Sequence, residues 1–325
     1  MRVIVAVAAL TAVALLSLAI GAKSIPLGDV VHGLLRDDGS EQAAIVRELR
    51  VPRTLVGLAV GIALGLAGAL MQALTRNPLA DPGLLGVEAG AAAAVVVAIG
   101  VLGFASPSAY VWFAFAGAAL ASVAVYLLGS HGRAGATPVR LALAGTAIAA
   151  ALTAFTSGVT LLDPLAFDDF RFWQVGALAG RDLGILTAVG PFLLVGALIA
   201  LALARPLNAI ALGDDAGRAL GAHLGRTRAL GAISITLLCG GATAVAGPIG
   251  FVGLTVPHVA RAIVGPDQRR VLAISIVLAP ILLLGADVIG RVVARPGELE
   301  VGIITALVGA PVFIALVRRT RIAQL

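Results

Sequence analysis

The sequence predicts an all-α polytopic membrane protein with about ten transmembrane helices and both termini in the cytoplasm. Of its 325 residues, 60% are hydrophobic and only 12% are charged, about half the charged share of a soluble domain. Mean hydropathy is +1.05. At about 20 residues per crossing, that apolar material suffices for nine or ten helices. The 40 glycines suit helices that must pack closely in lipid, where small residues let backbones approach.

The first apolar run, 3–22, is broken only by Thr11 and Ser17. It is longer than the apolar core of a cleaved signal peptide, so it is expected to be a retained helix. Further runs follow at 54–74, 84–103, 109–129, 139–161, 184–204, 229–247, 249–264, 271–289 and 301–317. Asp81-Pro82 and Thr137-Pro138 each place a capping side chain before a proline at a first helical position, where the missing N–H costs nothing. Gly247-Pro248 makes the seventh and eighth runs the least regular pair. No short-period repeat or low-complexity linker divides the chain, which reads as one domain, 1–325.

An even number of spans puts both termini on one side, and the distribution of arginine decides which. With the termini inside, the inner segments hold 14 basic residues and the outer ones nine. The net charge of +6 therefore orients loops rather than binding nucleic acid. Arg47, Arg50 and Arg53 run against the rule, crowding the outer start of the second span.

Several chemistries are absent. The only lysine, Lys23, lies outside any phosphate-binding loop, so this chain is not expected to hydrolyse ATP or to be an enzyme. There is no HExxH or GxSxG motif, the four histidines are scattered, and Cys239 is the single cysteine. No metal site or disulfide is expected. Glu88 and Asp287 are the ionisable residues inside apolar runs. Either they are capped or paired carboxylates, Asp287 with Arg291 at i,i+4, or they form a proton relay.

The segment from Arg50-Val51-Pro52-Arg53 through Gly61, Gly65 and Gly68 to Met71-Gln72 and Asn77-Pro78-Leu79-Ala80-Asp81-Pro82 resembles the FecCD family of permeases. These belong to ATP-binding-cassette importers for ferric siderophores, haem and vitamin B12. The resemblance recurs at Phe172-Trp173-Gln174, at 211–221, at Gly247-Pro248-Ile249-Gly250-Phe251 through Pro257-His258, at Gly285-Ala286-Asp287 and at Gly309-Ala310-Pro311. It implies a permease subunit in a bacterial cytoplasmic membrane, paired with an identical or paralogous second permease. It also implies two separate ATPase subunits that bind ATP and Mg, and a periplasmic or lipid-anchored substrate-binding protein. No cofactor is implied within this chain. His258 and His32 are poorly placed as axial ligands for haem.

Three sites follow from that resemblance. Arg50, Arg53 and Arg291 are expected at the outer face as docking contacts for the binding protein; lipid phosphates or Glu48 are the alternative partners. Arg50 and Arg53 share a face, and cations at a helix start oppose its dipole unless a partner offsets them. A coupling helix at about 213–222 is expected to meet the ATPase through Gly213, Asp214, Asp215, Gly217, Arg218, Leu220 and Gly221. Cytoplasmic gates are implied at Asn77, Pro78 and Leu79 and at Ala136 and Thr137, although helix capping accounts equally for Thr137. Gly61, Gly65 and Gly68 either pack the second span against a neighbour or line the path. The competing class is a proton-coupled secondary transporter working through Glu88 or Asp287.

Overall fold

The structure, a computed structural model, describes residues 2–319 apart from 22, 24, 37, 105, 132–136, 220 and 222. Among the described residues the chain is helix and loop, with no strand. The helices are α1 (Arg2–Ala19), α2 (Leu27–Leu35), α3 (Glu41–Thr75), α4 (Val87–Gly100), α5 (Pro107–Ser130), α6 (Pro138–Leu162) and α7 (Pro164–Gln174). They continue as α8 (Leu183–Ala202), α9 (Ala204–Ala211), α10 (Asp214–Ala219), α11 (Leu224–Ala246), α12 (Val252–Val264), α13 (Gln268–Val293) and α14 (Val301–Arg319). Six of them (α3, α5, α6, α8, α11 and α13) are long and apolar enough to cross a membrane, and α1, α4, α12 and α14 carry shorter apolar stretches. These ten overlap the ten expected runs in order.

The second span begins well before 54. Ser40 caps α3 by accepting from Ala43 N at 3.2 Å, and the helix then runs unbroken from Glu41. A π turn over Ile45–Arg50 sits just ahead of Pro52. Proline removes a backbone donor from a helix interior, and a widened turn absorbs the mismatch.

Helix α3 is the central strut, 78% buried over its apolar window, whereas α6 is only 11% buried over its own. Val56, Val60, Leu66 and Leu70 are fully enclosed with Leu272 and Leu283 of α13. Helices α3 and α13 run antiparallel, since Arg53 near the start of one bonds to Asp287 near the end of the other. Close approach requires the glycines. A Cβ on Gly61 would lie 2.7 Å from the Pro280 backbone, and one on Gly65 2.9 Å from Ser275 O; Gly68 abuts the backbone of Gly253 in α12. Packing, not path lining, is therefore their role.

Helices α11 and α12 are separated by non-helical backbone from Gly247 to Phe251. Such backbone survives within a bundle only where other protein groups satisfy it. Here Gly247 N donates to Thr243 O at 2.8 Å and Val252 N to Gly250 O at 2.9 Å, while the preceding Ala246 O accepts from Ala177 N at 2.7 Å. Gly176, at φ +77°, comes so close to Pro248 O that no side chain fits between them.

Candidate functional site

At one end of the bundle, four arginines and two acids tie α1, α3, α13 and the 294–300 loop together. Arg53 donates through Nε to both oxygens of Asp287 at 3.1 Å and through Nη2 to Oδ1 at 2.7 Å, and its Nη1 reaches Glu298 Oε2 at 2.6 Å. Asp287 is fully buried and also accepts from Arg291 Nη2, the expected i,i+4 pair. Arg291 Nη1 donates to Ser17 O at 2.8 Å and Ile20 O at 3.0 Å. Arg50 donates to Leu18 O, Ala19 O and Lys23 O, and Arg295 to Gly21 O.

Arg50, Arg53 and Arg291, the expected docking contacts, thus lie together at this end of the bundle with their charges engaged within the chain. Arg50 is 5% exposed and Arg291 1%, and the Arg53 guanidinium is committed to two carboxylates. The dipole argument reverses. Arg50 lies inside a helix rather than at its start, and its charge meets the C-terminal carbonyls of α1, where cations are favourable. Asp287, held between two arginines, is not placed as a proton relay. Glu88 lies in the first turn of α4, with its carboxylate beside Gly83 and Asp81.

The other end carries the second expected constellation. Gly213 (φ +104°) and Gly221 (φ +82°) bracket the short helix α10. Asp214 faces inward, 3.3 Å from Arg76 Nη2 and 2.8 Å from Arg228 Nη2, so α10 is fastened to the end of α3 and the start of α11. Asp215 and Arg218 point to solvent, with side chains 101% and 66% exposed. Gly217 is buried, and a Cβ there would lie 3.2 Å from Ala209 O of α9. Leu220 falls outside the described residues, as does Ala136.

Nearby, Arg76 ends α3 in the left-handed conformation, and Asn77 Oδ1 accepts from Leu79 N at 2.9 Å, closing the Asn77-Pro78-Leu79 turn. Thr137 caps α6 by accepting from Arg140 N at 3.4 Å. The two regions sit at the same end, since Thr75 and Leu141 line one narrow slot. Two features here lacked any local sequence signal. Gln72 donates to Leu254 O at 3.0 Å and accepts from Arg261, joining α3 to α12. An open groove of about 580 Å³ runs along α6, lined by Gly145, Thr146, Thr153 and Ser157 and closed by Gly83 and Leu84.

The FecCD transport family profile matches residues 9–319. The chain belongs to the FecCD transport family. It is 50% identical over 304 residues to the ferric enterobactin transport system permease protein of Escherichia coli (strain K12), covering 94% of this chain and 91% of the relative. It is 42% identical over 306 residues to the Fe(3+)-citrate import system permease protein of Bacillus subtilis (strain 168), with coverage of 94% and 91%. A solved inward-facing ABC transporter described as of the metal-chelate type superposes with a TM-score of 0.85 at 27% identity, covering 97% of this chain and 98% of that one. This FecCD protein is accordingly a multi-pass permease subunit of an ABC importer. Several of its motif blocks fall at the two fastened ends, along the glycine face of α3 and at the Gly176–Gly247 crossing.

Proposed function

We propose that this permease carries a ferric siderophore of the enterobactin type across the bacterial cytoplasmic membrane. It does so paired with a second permease, driven by two ATPase subunits and supplied by an external binding protein. The observation that carries the cargo is the 50% identity to the ferric enterobactin permease, against 42% to the ferric citrate permease. All ten apolar helices then span the bilayer, with both termini and α10 on the cytoplasmic side, as the arginine distribution favours. The polar groove along α6 is the wall of the path in this reading, because Thr146, Thr153 and Ser157 interrupt an otherwise apolar, exposed helix. Docking of the binding protein falls to the exposed 294–298 loop, which Arg53 positions through Glu298. Asp215 and Arg218 face the ATPase while Asp214 fastens the coupling helix, and Asn77, Pro78 and Leu79 with Ala136 and Thr137 form the inner gate. ATP-driven closure of the ATPases biases the paired bundles between inward-open and outward-open states.

The test is radiolabelled iron uptake in a strain lacking its own enterobactin permease, complemented with this chain and its cognate partners. Vanadate-sensitive uptake of ferric enterobactin exceeding that of ferric citrate at least ten-fold is the expected result. Equal uptake of both, or preference for citrate, would overturn the cargo assignment.

A further inference from the structure

Away from the α6 path, α5 and α11 form a second, nearly apolar groove of about 300 Å³. One wall is the stripe Ala119, Ser122 and Tyr126 of α5; the other is Ala229, Ala232 and Thr236 of α11. Both stripes follow the i, i+3, i+7 spacing of one helix face, so the groove runs lengthwise along two helices. Small residues on each wall hold it open. Thr236 satisfies its hydroxyl internally, donating to Ala232 O at 2.9 Å. The exposed residues flanking it, Leu120, Val123, Leu127 and Ile233, are large and apolar, as a surface bathed in hydrocarbon is and an aqueous path is not.

The groove has one charged mouth. One turn before Ala229 on the same α11 stripe stands Arg226, exposed. One turn before Ala232 stands Arg228, which holds Asp214 through Nη2 and whose Nε is buried with no partner. Leu141, in the first turn of α6, lines an adjoining slot together with Arg228 and Tyr126. The N-termini of α6 and α11 converge here, and helix N-termini favour anions. An apolar channel along the bilayer depth that ends in a cationic rim matches an acyl chain carrying an anionic headgroup.

We propose that the α5–α11 groove seats one chain of an anionic phospholipid of the cytoplasmic leaflet, with its phosphate at Arg226 and Arg228. The proposal uses the membrane orientation given above but not the identity of the cargo. An arginine near an anionic membrane surface contributes about five-fold in affinity, so headgroup selectivity of that order is expected from Arg226.

The test uses the purified full-length permease in detergent, delipidated and then given phosphatidylglycerol or phosphatidylcholine with identical chains, or glycerol 3-phosphate alone. Thermal midpoints and lipid retention by native mass spectrometry are the readouts. Wild type is expected to retain phosphatidylglycerol about five-fold better than phosphatidylcholine and to be stabilised by it, with no effect of glycerol phosphate. Arg226→Gln, an exposed change, is expected to equalise the two lipids, and Ala232→Trp, which fills the groove, to abolish retention of both. Equal retention of the two lipids by wild type, undiminished retention by Ala232→Trp, or stabilisation by glycerol phosphate alone would overturn the proposal. So would a crosslink between two copies through position 233, which would show a second permease in the groove instead.

Discussion

Arg53 and Asp287, 234 residues apart in the chain, share a bidentate ion pair in which Asp287 is fully buried and also bound by Arg291. Removing one member of a buried charge network strands the others, at a cost of about 3–5 kcal/mol. Asp287→Asn leaves two arginines facing a neutral amide and is expected to lower the thermal midpoint of the detergent-purified permease sharply. Glu298→Gln, at the exposed edge of the same network, is expected to cost far less. Equal melting of the two variants would count against Asp287 as the centre of the cluster.

Glycine substitutions separate packing from mere flexibility. Gly61→Ala puts a methyl 2.7 Å from the Pro280 backbone and is expected to destabilise by about 1–3 kcal/mol, the usual cost of overpacking. Gly285 has nothing within 4 Å of the same added atom, so Gly285→Ala is expected to be neutral or stabilising by up to about 1 kcal/mol through helix propensity. Thermal melts of the two variants in one detergent compare them directly.

In the proposed coupling role, the short helix α10 divides its residues between two tasks. Arg218→Glu, at an exposed position, is expected to reduce ATP-driven uptake several-fold while leaving the melting midpoint unchanged. Asp214→Asn breaks the contacts with Arg76 and Arg228 and is expected to lower both. Transport assays paired with melting curves check this; an Arg218 variant with full uptake would remove that residue from the ATPase contact.

A pH signature belongs to the start of α13. Asn208 Nδ2 donates to Asp267 Oδ1 at 2.7 Å, and this bond, followed by the Arg269 backbone N–H, holds Asp267 below its ordinary value of 3.8. A carboxylate whose folded value is depressed adds stability above its unfolded value, and that stability is lost as pH falls through the folded value. Asn208→Leu is therefore expected to melt earlier than wild type at pH 7, with the gap narrowing below about pH 4 as Asp267 protonates. A gap that stays constant from pH 7 to pH 3 would assign the loss to packing alone.

The apolar runs made the ten apolar helices legible, because hydropathy over about 20 residues is a local property. Glu41 to Arg50 read as loop because Glu41, Arg47, Glu48 and Arg50 crowd it with charge, yet Ser40 caps a helix there, and Glu41, Arg47 and Arg50 find partners outside it. The short helices α2, α7 and α9 were invisible to a search for spans. Asp287 with Arg291 was readable from spacing along one helix, whereas Arg53 with Asp287 and Gln72 with Arg261 were not, since only the antiparallel docking of helices brings them together. Nor could sequence show that Arg50 and Arg291 meet the carbonyls at the end of α1, because an arginine that offsets another helix's C-terminus looks, in sequence, like one awaiting a partner.

Helix α3 spans 35 residues, about 50 Å of continuous rod, and is pinned near both tips: through Arg76 to α10 at one, through Arg50 and Arg53 to α1 and α13 at the other. A rod held in this way works as a beam. A tilt of about 5° applied through Asp214 and pivoting at the glycine seam, roughly 15 Å from Arg53, would shift that guanidinium and the Glu298 it holds by about 1 Å. The glycine seam against α13 sets where that beam can pivot, since a backbone-to-backbone contact has no side chains to compress and permits sliding or rolling only. The one widened turn, at Ile45–Arg50, lies beyond the seam, so any bend is confined to the last stretch before the tip.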